Sequence, residues 1–212
     1  MSKRKYIWFA ICNIIFLLST FLHECIHGFS MARLGQSVST GFRRIGHVYL
    51  YPKDSGFRMN LDLDIKTLMD FSVLLTLTLA VVFTFLFCKV RFKNPVTKMT
   101  VLALALCNSC LRIIAWAATL MLPVFTGQTV RIDELNTGTA LVLATGNSSL
   151  LYVPAILSIF VSLFCFIKLL MRLRRSRDQD YQNFIFLFFM ALVSSFFLSN
   201  ILDNYIRINW IA

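Results

Sequence analysis

His23, Glu24 and His27 stand in the order HECIH, two imidazoles four residues apart with a carboxylate directly after the first. On a helix the i, i+4 spacing puts both rings on one face, close enough to share a divalent ion, and Glu24 falls beside them as a base. Zinc is the metal expected of such a site. Neutral imidazoles hold it, it lowers the pKa of its bound water from ~16 toward ~7, and Glu24 can take the proton and deliver it to a leaving amine. The chemistry that follows is metal-assisted hydrolysis of a peptide bond. A chance match on a helix fits the setting poorly, because two histidines and a glutamate within five residues of a membrane helix are costly unless they serve a polar cavity or a metal.

The elements that must position this motif are set by composition. With 58% apolar residues, 15% charged and a mean hydropathy of +0.72 in 212 residues, the chain is neither a soluble globule nor a disordered one. Apolar stretches long enough to span a hydrocarbon core, which takes about 20 helical residues, lie at about 6–30, 70–88, 99–123, 150–170 and 184–203. The expected fold is an all-α polytopic membrane protein of about five transmembrane helices, residues 1–212 forming a single domain. The first span follows Lys3, Arg4 and Lys5 but is not followed by a small-residue cleavage site, so it is read as a retained helix. The cysteines Cys12, Cys88, Cys107, Cys110 and Cys165 fall inside apolar runs, where they are expected to be buried thiols rather than bridges or ligands.

Basic residues fix the expected orientation. Lys3, Arg4 and Lys5, then Lys89, Arg91, Lys93 and Lys98, then Lys168, Arg172, Arg174, Arg175 and Arg177 all flank spans on one side, which the positive-inside rule makes cytosolic. The N-terminus is then cytosolic and the motif faces the non-cytosolic side. The net charge of +11 is explained by these anchors, which touch the lipid bilayer, so no nucleic acid is expected as a partner. On the motif's side, Ser37 to Tyr51 is rich in Val, Thr and Tyr, with Gly41 and Gly46, and closes at Pro52, which reads as a short membrane-associated β-hairpin after the first helix. Glu134 to Thr145 reads as a short helix with Asp133 as its N-cap and Gly146 as its stop.

The apolar helix ending in FLHECIHGFSMARLG, with Gly28 after the second histidine, followed by SVSTGFRRIGHVYLY, resembles the site-2 protease family of intramembrane zinc metalloproteases. The resemblance covers about the first sixty residues well, and the placement of the motif in a transmembrane span is what makes it specific. It implies a zinc endopeptidase whose partners are membrane protein or peptide substrates, and a β element after the motif helix. The family's LDG-type motif, which donates an aspartate ligand, is absent in its familiar form.

A hydrolytic zinc site takes three protein ligands and leaves one position open for water, so one ligand is still to be found. Asp133 is favoured. It lies on the motif's side of the membrane, in RIDELNTGTALVLATG, which looks like the D-then-helix-then-TG pattern of some smaller bacterial relatives of the family; helix capping is its competing use. Asp203, in SNILDNY, is the rival, Glu134 would suit metalloproteases that use a glutamate, and His47 is the remaining histidine. Arg112, mid-span with Asn108 one turn earlier, needs a partner: it either stabilises charge at the site or pairs with Asp70 or Asp203. Asp62, Asp64 and Asp70 have no ligand spacing. The competing functional reading is a non-catalytic membrane protein, such as a transporter subunit or assembly partner, whose motif is coincidental or holds a structural metal.

Overall fold

A computed structural model describes residues 3–43, 45–47, 72–127, 132–175 and 181–212. In chain order these form helix α1 (Lys3–Arg33), strands β1 (Val38–Thr40) and β2 (Ile45–His47), α2 (Ser72–Lys89), α3 (Pro95–Thr126), α4 (Asp133–Thr145), a 3-10 turn over Ser148–Tyr152, α5 (Val153–Arg175), α6 (Tyr181–Leu202) and β3 (Ile208–Trp210). Among the described residues five helices are long and apolar enough to cross a membrane, so the chain is an all-α polytopic protein with a small sheet. Their ends lie within five residues of the spans expected from hydropathy, and α1 and α3 run on at both ends into the residues that flank their apolar stretches.

The central helix is α3. Of its apolar window 56% is buried, against 22–28% for the other four spans, and it packs on α1, α2 and α5. Asn94 caps its start by accepting from the Val96 amide at 2.8 Å, Pro95 occupies the first turn, and Gly127 ends it at φ 67°. Close approach of helices without a hydrophobic drive in lipid depends on small side chains. The faces that meet bear this out: Ser72, Thr76, Ala80 and Thr84, one turn apart, are four of the five buried residues of α2, and Ala155, Ser158, Ser162 and Cys165 four of the five of α5. Near the ends rich in lysine and arginine the core fills with Trp8, Phe16, Leu106, Leu169 and Phe188. Trp8 donates its indole N–H to the Phe184 carbonyl at 2.8 Å. Of the five cysteines expected in the core, Cys12, Cys107, Cys110 and Cys165 are buried, whereas Cys88, in the last turn of α2, is half-buried.

The hairpin is present as β1 and β2, antiparallel with Val38 opposite His47 and Thr40 opposite Ile45; residues 48–51 of the expected stretch lie outside the described residues. It is not an isolated hairpin. Strand β3 pairs antiparallel with the other edge of β1, Val38 opposite Trp210 and Thr40 opposite Ile208, giving the order β2-β1-β3. Two independent stretches thus converge just beyond the HECIH turn. Gly28 makes the docking possible, since a Cβ there would overlap the Trp210 indole and stand 2.6 Å from Thr40 Cγ2.

Candidate metal centre

Three separate segments meet at the motif. Helix α1 carries His23, Glu24 and His27 in its last third, α4 begins at Asp133, and α3 carries Arg112. Helix α4 is drawn in by close packing: Gly138 lies against the Leu151 backbone so tightly that a Cβ would overlap the Leu151 carbonyl, and the next-door Glu134, fully buried, accepts from Ser158 Oγ of α5 at 2.7 Å. This clamps the first turn of α4 and leaves the preceding carboxylate, Asp133, turned toward α1.

His23 Nε2 lies 3.1 Å from Asp133 Oδ2 and 3.2 Å from His27 Nε2, and His27 Nε2 is 3.7 Å from Asp133 Oδ1. The two rings stand 4.7 Å apart, nearly perpendicular at 84°. Two donors each ~2.0–2.1 Å from a tetrahedral ion are about 3.3 Å apart, so the two nitrogens are spaced as ligands of one ion. Among the described residues His23, His27 and Asp133 are the group of metal-ligating side chains that comes together, with one donor atom from each within 4.8 Å of the others.

His23 Nε2 has His27 Nε2, Asp133 Oδ2 and, at 3.1 Å, Arg112 Nη2 around it. Arginine only donates and a carboxylate only accepts, so one ring nitrogen cannot serve both at once. Two imidazoles and a carboxylate, each with a lone pair to offer, are a donor set whose chemistry fits zinc. The opposite nitrogen, His23 Nδ1, is 3.4 Å from Thr76 Oγ1, whose hydroxyl hydrogen goes to the Ser72 carbonyl at 2.9 Å. That leaves the Thr76 oxygen able to accept from Nδ1, beside which Arg112 Nη2 also lies at 3.4 Å. Burial raises the Asp133 carboxyl pKa, but hydrogen bonds and charge from His23 and His27 outweigh it and hold the group well below the usual carboxylate range.

Several expectations are corrected here. Asp133 is not the N-cap of its helix: that position is Ile132, and no side chain caps the helix. The Asp133 carboxylate faces the two histidines rather than the free amides of its helix. Arg112 pairs neither with Asp203 nor, among the described residues, with any other acid than Asp133, at 3.2 Å, and Glu134, at 3.3 Å, both through Nη1; Asp62, Asp64 and Asp70 lie outside the described residues. Glu134, weighed as a ligand, is committed to Arg112 and Ser158 instead. Asp203 is buried at the end of α6, where its Oδ1 accepts from the Phe42 amide and, at 3.2 Å, from the Arg43 amide. It thereby fastens the β1–β2 turn, helped by Arg43, which donates to Asn200 at 3.1 Å and lies 3.8 Å over the Phe196 ring. His47 sits in β2 opposite Val38, outside the ligand group. Thr76 and Ser158 were not singled out in sequence, where a lone hydroxyl on an apolar helix carries no distinguishing signal.

A cavity of about 420 Å³ opens in front of the motif. His23, Glu24, Arg112 and Asp133 form its polar wall, and Ile114, Leu192 and Phe196 part of its apolar one, with Phe42 and Arg43 of the β1–β2 turn at its rim. Glu24 therefore looks into the same space as the ligand group. Comparison of the chain with protein-family models, with curated proteins and with solved structures gives no match, so the functional reading stands on this geometry.

Proposed function

We propose that the protein is an intramembrane zinc metalloprotease of the site-2 protease type, hydrolysing a peptide bond in or next to a membrane segment of another protein. The observation that carries this reading is the pair of imidazole nitrogens 3.2 Å apart, closed by the Asp133 carboxylate, with His23, Asp133 and Glu24 lining one cavity. His23, His27 and Asp133 would hold the ion, which when bound supplies a Lewis acid and a water of lowered pKa. Glu24, which lines the same cavity as His23 and Asp133, would be the base that takes a proton from the attacking water and returns it to the leaving nitrogen. Arg112 places a fixed positive charge at the polar wall, where negative charge develops on the scissile carbonyl oxygen. The apolar wall limits bulk water and suits an apolar substrate segment. A membrane helix hides its carbonyls in its own hydrogen bonds, so the substrate must unwind locally to be cut. Strand addition to the hairpin would have to use β2 or β3, since β1 is paired on both sides. By the positive-inside rule the basic helix ends are cytosolic and the site faces the opposite side.

The test uses the full chain purified in detergent. Stoichiometric zinc by elemental analysis, together with cleavage of membrane-segment peptides that a chelator abolishes and added zinc restores, is the expected result. Absence of bound zinc after zinc reconstitution overturns the metal site. Bound zinc with no hydrolysis across a broad panel of such peptides favours the non-catalytic reading with a structural metal.

A further inference from the structure

The opposite end of the bundle holds a second cavity, of about 380 Å³, where the ends of α1, α2, α3, α5 and α6 converge. Arg91, Lys98, Arg172 and Arg175 line it, and none of the four is in an ion pair among the described residues. All four acidic side chains among the described residues, Glu24, Asp133, Glu134 and Asp203, belong to the other end. The positive charge is reinforced by the amide end of α3, which opens at Pro95 on the cavity wall. The cavity is not polar throughout, because buried Phe87 and Met99 line it too. Cations around an apolar base, at the level where spanning helices leave the hydrocarbon, match a phosphate group joined to acyl chains better than a soluble anion.

We propose that this cavity binds the phosphodiester headgroup of one anionic phospholipid, with Arg91, Lys98, Arg172 and Arg175 around the phosphate and the head of an acyl chain against Phe87 and Met99. The proposal is independent of the metal centre. Helix ends rich in basic residues attract anionic lipid generally, so a built site has to be distinguished from a charged face. Lys93 and Arg174 provide the control: both are exposed near the same end and neither lines the cavity.

The experiment titrates delipidated full-length protein in neutral detergent with phosphatidylglycerol and, separately, phosphatidylcholine, counting adducts by native mass spectrometry, for the wild type, Arg91→Gln/Arg172→Gln and Lys93→Gln/Arg174→Gln. One saturable phosphatidylglycerol adduct is expected, lost on the order of 25-fold in affinity in the cavity variant at about fivefold per cation, and nearly unchanged in the control variant of equal charge. Equal losses in the two variants would overturn the site in favour of non-specific surface charge, and equal retention of phosphatidylcholine would overturn the preference for an anionic lipid. Displacement of the lipid by inorganic phosphate at matched concentration would overturn the lipid and assign the cavity to a free anion.

Discussion

Glu134→Gln tests whether the charge at the metal centre is balanced through Arg112. Arg112 Nη1 bridges Asp133 Oδ2 at 3.2 Å and Glu134 Oε1 at 3.3 Å, and Nη2 reaches His23 Nε2 at 3.1 Å. With Glu134 neutral, the whole guanidinium charge bears on Asp133 and His23, competing for the lone pairs that a metal needs. Loss of an outer-shell partner of this kind costs about 10–100-fold in metal affinity, which is roughly 1.4–2.7 kcal/mol. Because Glu134 is fully buried and Arg112 is 5% exposed, the variant also loses stability. Breaking a buried pair costs ~3–5 kcal/mol, lessened here because Arg112 keeps Asp133. Arg112→Gln/Glu134→Gln removes both charges and should recover most of the lost affinity, a sign that simple damage to the fold would not reverse. The assay is zinc competition against a chromophoric chelator in detergent, with size-exclusion profiles confirming that each variant is folded. An unchanged dissociation constant in folded Glu134→Gln, or a double variant as weak as the single one, refutes the reasoning.

Glu24→Gln should keep zinc and lose hydrolysis, since the amide has the shape but cannot take the proton; turnover at the wild-type rate would remove the proposed base. His23→Ala and His27→Ala should each lose both zinc and activity, and stoichiometric zinc in both would contradict the ligand set. Asp133→Ala should lose zinc, whereas Asp203→Ala should retain it while losing about 1–3 kcal/mol of stability from the orphaned Phe42 and Arg43 amides; the opposite pattern of zinc contents would move the ligand to the end of α6. Gly28→Ala should retain zinc but lower thermal stability by the equivalent of about 1–3 kcal/mol as the sheet is pushed off α1, and an unshifted melting midpoint would show that the close approach of Trp210 carries no weight.

The spans were legible in the sequence because a bilayer imposes a length and a composition on each helix without reference to its neighbours. Gly146, read as the stop of α4, ends it in the left-handed conformation that glycine adopts at little cost. The Val, Thr and Tyr content and the glycines after α1 indicated the hairpin, a local pattern. The pairing of the two motif histidines was equally local, being a consequence of helical period alone.

The partners of these residues belong to long-range structure. Strand β3 lies some 170 positions from β1, and its three residues have no periodicity long enough to announce a strand; it exists because β1 offers an unpaired edge. Three carboxylates, Asp133, Asp203 and Glu134, and one histidine, His47, were candidates expected on the motif's side, with no sequence rule to rank them fully. The first turn of α4, held by Gly138 against Leu151 and by Glu134 on Ser158 and Arg112, aims Asp133 at the histidines, while the docking of the β1–β2 turn consumes Asp203. Sequence by itself determined the membrane class, the helices and the two imidazoles on one face. Which carboxylate joins them, and that Arg112 answers to Asp133 and Glu134, was decided by packing between helices far apart in the chain, where contact geometry and not residue spacing sets the distance.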